Sequence, residues 1–482
     1  MSERNTRRSI ISGLAWKFLE RLLTQGVSFV VSLVLARILL PEDYGLLALV
    51  MSFTTISSVF INHGFASGLI QKKDADDDDF STMFWCSQAC TLLIYAVLFV
   101  AAPLVADFYD APELTNVMRV FVLQIPLGSF GSIQAAYVSR HMMFRKNFVS
   151  TITHVAVSGV VGIIMALSGC GVWALIGQAL TSSVVGMIML WRLVPWRPKL
   201  VFSKDSAKSL MHFGSRVLGA ELSSTFFNEI RGLIIGRVYS QADLAYYNKG
   251  KQIPALITNS ASLSVTAVIY PALSNLGDNK EELKRLARRG IQLLCYVIAP
   301  CMFGFSAVAE PLILWLYTDK WAQMIPFAQI MSIGLCCAVL ENFSFQVFKS
   351  LGMGDLLIKL EIWKKPAYVV LLVVGVMINV HALAIAIFVY DVYSMLVNFS
   401  QMKKLIQYTY REQLADIVPS LLMATLMAVV VWSIPIIGNL LLTLIVKIAA
   451  GVVVFVGGSI VLRLAPFQYL KGMLLGAMKR RA

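Results

Sequence analysis

The sequence predicts an all-α polytopic membrane protein with about fourteen transmembrane helices: two six-helix lobes in a parallel pseudo-twofold repeat, plus two C-terminal helices. Three observations predict this fold class. Of the 482 residues, 58% are hydrophobic and only 14% are charged, whereas a soluble chain carries about a quarter charged residues. Apolar runs last for about twenty residues, the length of a membrane-spanning helix, and lack the alternation of barrel strands. Basic residues gather in every second loop between these runs.

The individual helices follow from apolar runs that end at charged residues, glycine or proline. The second, seventh and eighth runs are the least apolar. In chain order the runs cover residues 10–39, 44–69, 81–106, 115–138, 148–168, 171–191, 209–236, 245–272, 288–310, 323–349, 357–378, 381–402, 414–434 and 439–462.

These helices predict a division of the chain into four parts. Residues 1–193 form an N-terminal lobe, and residues 209–402 form a C-terminal lobe. A cytoplasmic linker, 194–208, joins the two lobes. Residues 403–482 hold the last two helices and a basic, amphipathic cytoplasmic tail.

The distribution of Lys and Arg predicts the orientation of the helices. One set of loops holds only Arg37, Arg237 and Lys320. Short loops rich in Lys and Arg stay in the cytoplasm, so we expect both termini to be cytoplasmic. The basic loops include Arg4, Arg7, Arg8, Lys72, Lys73, Arg140, Arg145, Lys146, Lys349, Lys359, Lys364, Lys365, Lys403 and Lys404.

Two turns about two hundred residues apart are similar and indicate an internal repeat. Residues 35–37 and 41–45 read LAR and PEDYG, whereas residues 235–237 and 241–247 read IGR and QADLAYY. In both, a helix ends at Arg, an acidic turn follows, and Tyr lies near the start of the next helix. A repeat offset by six spans gives parallel halves that enclose a central cavity. Chance similarity of turn residues is the alternative.

Charged residues inside the spans predict a cationic cavity between the halves, because such residues are costly in lipid and usually face a cavity or a partner. Arginine suits a diphosphate, since its planar fork bonds two phosphate oxygens. The alternative is that these charges reach the interfaces or pair structurally. The candidate substrate-binding residues are Lys17, Arg21, Gln25, Arg216, Asn228, Arg231, Lys249 and Lys251. The candidates for ion or proton coupling are Glu20, Glu221, Glu229, Glu341 and Asp391.

Other chemistry lacks support in the sequence. The scattered basic residues argue against nucleic acid as a partner. The motifs H-E-x-x-H, G-x-x-x-x-G-K-[ST] and G-x-S-x-G are absent, and the histidines lack metal-ligand spacing. We therefore expect no catalytic residue, no metal and no cofactor, and cysteines that serve in packing.

Several short motifs, in order from the first span to the tenth, resemble one family. They are ARI at 36–38, YGLL at 44–47, GFA at 64–66, IQKK at 70–73, YN at 247–248, YPALS at 270–274, EELK at 281–284, and KW at 320–321 with IP at 325–326. The chain resembles the polysaccharide exporters of the multidrug/oligosaccharidyl-lipid/polysaccharide flippase superfamily, near the colanic-acid and teichuronic-acid exporters.

The resemblance implies a V-shaped pair of six-helix lobes that work by alternating access. It implies an undecaprenyl-diphosphate-linked oligosaccharide as substrate and a bacterial inner membrane as location. Polysaccharide polymerase and export machinery are the implied partners. Relatives that flip a peptidoglycan precursor use arginines of the first and eighth helices; here Arg21 corresponds loosely to the first, and the eighth span offers Lys249 and Lys251.

The leading hypothesis is therefore a non-enzymatic lipid-linked oligosaccharide flippase for surface polysaccharide biosynthesis. A drug or cation antiporter of the same superfamily is the main alternative, although it favours a small acidic site over a basic cavity. A membrane-embedded sugar polymerase or ligase is a third hypothesis, which the short outer loops disfavour.

Overall fold

The computed structural model describes residues 3–60, 69, 76–274 and 280–479. Within these ranges it gives the backbone alone at 3–15, 18, 205–217, 220, 261–272, 274 and 473–479. The described part of the chain is helical and contains no strand, as the sequence predicts.

The first helices of the chain run up to the middle of the sequence. They are α1 (Glu3–Ile38), α2 (Pro41–Val59), α3 (Asp77–Phe108), α4 (Glu113–Phe121), α5 (Gln124–Arg140), α6 (Phe144–Leu167), α7 (Val172–Leu193), α8 (Lys204–Val238) and α9 (Gln241–Ser274).

The remaining helices follow after residue 279. They are α10 (Lys280–Tyr317), a 3-10 helix (Asp319–Met324), α11 (Ile325–Ser350), α12 (Gly354–Ile378), α13 (Val380–Ile406), α14 (Tyr410–Ser433), α15 (Leu440–Val461) and α16 (Ala465–Lys479).

Ten helical segments in the described residues are long and apolar enough to cross a membrane, so the chain is a multi-pass membrane protein. The span predicted at 115–138 is divided between α4 and α5. The predicted spans in α2, α8, α9 and α12 fall outside the ten. Three of these are the runs that the sequence marks as least apolar, and α12 carries several charges in its first half.

The chain forms two compact units, Met1–Ala245 and Tyr246–Ala482. In the first unit, α6 packs against α7 and α1. Glycines permit this close packing, as small residues do between membrane helices. A Cβ at Gly162 would lie 2.9 Å from the Cβ of Gln178, and one at Gly177 would lie 2.3 Å from the sulfur of Met165.

In the second unit, α10 is the central helix and packs against α11, α14 and α15. A large apolar core surrounds it and includes Ile291, Met302 and Phe343, which are buried. The helices added after the predicted twelfth span thus pack on the same core as α10.

Two pairs of turns have equivalent hydrogen bonds. The backbone N–H of Leu40 donates to Asp43 Oδ2 at 3.1 Å, and that of Ser240 donates to Asp243 Oδ2, also at 3.1 Å. Both are helix N-caps at the sequence positions that suggest a repeat. The two turns therefore share local backbone geometry, and the internal repeat as a whole stays a prediction.

The turn between α5 and α6 matches the turn between α11 and α12. The N–H of Met143 donates to the carbonyl of Val138 at 3.0 Å, and the N–H of Met353 donates to that of Phe348 at 3.1 Å. Both turns contain a left-handed residue, Met142 in one and Gly352 in the other. The division into two lobes remains a prediction beyond this local match.

The first part of the predicted linker is docked on the first unit. Trp196 is buried among Phe80, Phe84 and Tyr137. The N–H of Lys199 donates to Ser81 Oγ at 3.0 Å. Residues 194–203 therefore pack along the first turns of α3. From residue 204 onward the predicted linker is already part of α8.

Candidate functional site

The charged residues of α1 are placed against α6. Glu20 Oε1 accepts hydrogen bonds from Asn147 Nδ2 at 2.8 Å and from Thr151 Oγ1 at 3.1 Å. Lys17 Nζ lies 4.8 Å from the centre of the Phe144 ring. Because Lys17 and Glu20 both contact α6, these two predicted site residues also have a structural role.

Arg21 has a different environment from Lys17 and Glu20. Its side chain is exposed, and it has no hydrogen bond or salt bridge to any side chain that the structure describes. Gln25, one turn further along, is half-buried. Arg21 therefore remains available to an external anion.

The candidates on α8 are partly described. Arg231 donates to the carbonyl and to the side-chain oxygen of Asn228, both at a long 3.4 Å, so the structure brings these two together. Glu221 and Glu229 are half-buried. Arg216 lies outside the residues whose side chains the structure describes.

Lys249 and Lys251 lie on α9 within the second compact unit. Lys249 is buried, with 9% of its surface exposed, and Lys251 is half-buried. The candidates on α1 and α8 belong to the first unit. A cationic cavity formed by both sets stays a prediction.

Glu341 is the centre of a polar network within the second unit. Its Oε1 accepts from Lys364 Nζ at 2.7 Å and from Ser394 Oγ at 2.5 Å. Asn398 Nδ2 donates to the Glu341 carbonyl at 3.4 Å, and the Lys364 ammonium also lies 3.2 Å from Glu361 Oε1. The network joins α11, α12 and α13.

The assignment of Lys364 to a cytoplasmic loop is wrong. Only 1% of its side chain is exposed, and it lies inside α12 with Glu341 as partner. From sequence alone, a lysine near the end of an apolar run is assigned to the adjoining loop. Here the carboxylate of Glu341 on the neighbouring helix α11 stabilises Lys364 in the protein interior. Asp391, the other acidic candidate, lies on α13 beside Gly334 of α11, where a Cβ would be 2.9 Å from Asp391 Oδ2.

A second network, which the sequence does not indicate, joins α10 to α14. The guanidinium of Arg288 donates to both oxygens of Asp416, at 2.7 and 2.9 Å. Gln292 and Tyr408 donate to the same carboxylate at 2.6 and 2.7 Å. Burial raises the pKa of the Tyr408 phenol and the hydrogen bond to Asp416 raises it further, so the phenol stays a donor.

His154 of α6 is a further intramembrane residue that the sequence analysis missed. It lies in the same helix as the two residues that bind Glu20. A lone histidine within an apolar run was a signal available in the sequence, because ionisable residues in spans are uncommon. Among the described residues, no group of His, Cys, Asp and Glu side chains is arranged to hold a metal ion.

The fold is that of known membrane transporters. A lipid II flippase, MurJ, in its inward closed conformation matches with a TM-score of 0.77 at 14% identity, over 94% of this chain and 99% of that one. An inward-facing multidrug resistance MATE family transporter of the MOP superfamily matches with a TM-score of 0.61 at 15% identity, over 80% of this chain and 94% of that one. The described helices thus have the fold of these two membrane transporters.

Sequence comparison identifies the family. Residues 34–326 match the family described as polysaccharide biosynthesis protein, and the chain belongs to that family. The resemblance inferred from the short motifs is thereby confirmed.

Two relatives have informative names. The succinoglycan biosynthesis transport protein ExoT of Rhizobium meliloti (strain 1021) is 25% identical over 350 residues, which are 73% of this chain and 71% of that protein. The teichuronic acid biosynthesis protein TuaB of Bacillus subtilis (strain 168) is 23% identical over 356 residues, which are 72% of this chain and 73% of that protein.

Proposed function

We propose that this protein is a flippase that moves an undecaprenyl-diphosphate-linked oligosaccharide from the cytoplasmic to the outer leaflet for surface polysaccharide biosynthesis. The observation that carries the proposal is membership of the polysaccharide biosynthesis family, in which relatives are named for transport or biosynthesis of surface polysaccharides. The fold shared with a lipid II flippase supports a lipid-linked substrate.

The charges of the first unit suit such a substrate. A diphosphate is an anion that arginine binds through paired hydrogen bonds. Arg21 is exposed and has no described partner, whereas the acidic Glu20 beside it is already bonded to Asn147 and Thr151. Arg21 is therefore available to bind a diphosphate, whereas the Glu20 carboxylate is held against α6 by its hydrogen bonds.

The proposal includes the membrane arrangement. The chain crosses a bacterial inner membrane fourteen times, and both termini lie in the cytoplasm. The distribution of Lys and Arg among the loops supports this topology. Transport proceeds by alternating access of the substrate site to the two sides of the membrane, with 1–193 and 209–402 as the two lobes. The polysaccharide polymerase and export machinery are the proposed partners after transport.

The test uses a strain that lacks the gene. We expect undecaprenyl-diphosphate oligosaccharide to accumulate on the inner leaflet and to disappear when the intact gene is returned. If no lipid-linked intermediate accumulates and the cells become sensitive to cationic dyes, the protein is a drug or cation antiporter of this fold and the proposal is wrong.

Arg21→Ala tests the cationic site in the same strain. We expect loss of surface polysaccharide with normal amounts of protein in the membrane, because an exposed residue without described partners contributes little to folding. Arg119→Ala is the matched control: Arg119 lies on α4, its Nε donates to the Phe99 carbonyl of α3 at 3.3 Å, and its guanidinium lies over the Phe99 ring. Normal polysaccharide in the Arg21 variant would contradict the cationic-site model.

A further inference from the structure

His154 occupies a position in the first unit where a basic side chain faces an acidic one. Asn147, Thr151 and His154 are four and three residues apart, so they lie along one face of α6. The first two hold Glu20 Oε1 through hydrogen bonds of 2.8 and 3.1 Å. His154 is the next residue along this face, about one turn beyond Thr151.

The imidazole has an unsatisfied nitrogen. His154 Nδ1 is buried and has no hydrogen-bond partner among the described atoms. Gly186 of α7 leaves it room, because a Cβ there would lie 3.0 Å from Nδ1. A buried polar atom without a partner is costly, which points to a second state in which the ring is paired.

Because Glu20 Oε1 accepts from Thr151, which lies three residues before His154 on the same face of α6, the carboxylate lies near the imidazole. A nearby negative charge favours a protonated imidazole, whereas an apolar environment favours the neutral ring. The two effects oppose each other, and histidine is the side chain whose charge changes near neutral pH.

The second unit contains an equivalent position. In the register set by the matching turns, His154 and Lys364 stand the same number of residues after Met143 and Met353. Lys364 Nζ lies 2.7 Å from Glu341 Oε1. Both units therefore place a basic side chain near a glutamate at this point of the chain.

We propose that His154 and Glu20 form a proton-binding site within the first unit. One proton from water binds a ring nitrogen of His154, and the resulting imidazolium balances the charge of Glu20. The carboxylate then turns from Asn147 and Thr151 towards the ring, which changes the contact between α1 and α6.

The remaining charges around the site come from four helices. From α1, Lys17 and Arg21 lie one turn or less from Glu20. The charged residues of α5, α6 and α7 lie in terminal turns: Arg140, Arg145, Lys146 and Arg192.

The site is tested by NMR of the full-length protein in nanodiscs, with isotope-labelled histidine. The chain has five histidines, and His154→Gln assigns the signal. We expect the His154 signal to change as the pH is varied, and Glu20→Gln to lower the midpoint of that change, because the carboxylate favours the protonated ring. His141 is the internal control, because its Nδ1 lies 2.9 Å from the Tyr137 carbonyl and it is exposed.

Two outcomes of the NMR experiment would contradict the proposed proton-binding site. A His154 signal that does not change between pH 4.5 and 9 would exclude a proton site, and a midpoint unaffected by Glu20→Gln would exclude the pair. Where His154→Gln fails to fold, single substitutions of the other four histidines assign the His154 signal by elimination, and the Glu20 variant then decides the question.

The link to transport rests on the proposed function, whereas the proton site does not. With purified protein in liposomes, we expect the rate of lipid-linked sugar transport to vary with pH in the native chain and to vary less in His154→Gln. A pH profile unchanged in that variant would contradict the coupling. Absence of transport by the native chain at every pH would contradict the proposed function and leave the NMR result standing.

Discussion

The ion pair between Lys364 and Glu341 allows a quantitative test of how the second unit is held together. Two unit charges 2.7 Å apart attract by about 6 kcal/mol at an effective dielectric constant of about 20. Desolvation offsets most of this attraction, so the pair itself stabilises the fold by less. Removing one partner is different, because it leaves the other charge buried and unpaired.

We expect Lys364→Met to lower the free energy of unfolding by about 3 kcal/mol. Methionine keeps the approximate length of the side chain and removes its charge. The value is at the lower end for a broken buried pair, because Ser394 still donates to Glu341 and 22% of the Glu341 side chain is exposed. Reversible unfolding of purified protein in mixed micelles of mild detergent and SDS, followed by tryptophan fluorescence, measures the loss.

A double-mutant cycle separates the pair from other effects of the substitution. The double variant Lys364→Met, Glu341→Gln is expected to lose less than the sum of the two single variants, by more than about 1 kcal/mol. Lys365→Met is the matched control: Lys365 lies 3.6 Å from Glu361 and is partly exposed, so about 0.5 kcal/mol is expected. Equal losses at both lysines, or a coupling near zero, would refute the reasoning.

Two further substitutions test the packing within the two units, one in each. Gly45→Ala is expected to lower the free energy of unfolding by at least about 3 kcal/mol, because its Cβ would lie 1.8 Å from the backbone oxygen of Gln241. Gly26→Ala is the control and should be neutral or slightly stabilising, because a Cβ there meets nothing within 4 Å; similar melting temperatures for both variants would contradict this. Arg288→Met should cost about 2 kcal/mol in the micelle assay, because Asp416 keeps its other donors but loses its paired cation, and a loss below about 0.5 kcal/mol would contradict that role.

The sequence predicted well what depends on local composition. Long apolar runs give helices because the backbone must bond internally in lipid, so the helix positions agree with those of the structure. The acidic residues Asp43 and Asp243 cap equivalent helices, as their shared place after Arg indicates. The second, seventh and eighth predicted spans are the least apolar in the sequence. They correspond to α2, α8 and α9, which are not among the ten helical segments of the described residues that are apolar enough to cross a membrane.

What the sequence did not predict depends on contacts between helices. Lys364 has the same local pattern as a lysine that reaches the membrane surface, and only the position of Glu341 on α11 shows that it is buried. Likewise, Glu20 is far in sequence from its hydrogen-bond partners Asn147 and Thr151, and the packing of α1 on α6 brings them together. Pairing of charges between helices requires the tertiary structure.

The central claim is tested most directly with purified protein in liposomes that contain undecaprenyl-diphosphate oligosaccharide. An enzyme that cleaves the sugar, added outside, reports how much lipid is exposed there over time. We predict that the protein brings the protected inner pool to the outside and that Arg21→Ala does so at least about tenfold more slowly, the effect of about 1.4 kcal/mol. A protected pool that stays at the level of protein-free liposomes would contradict the flippase function.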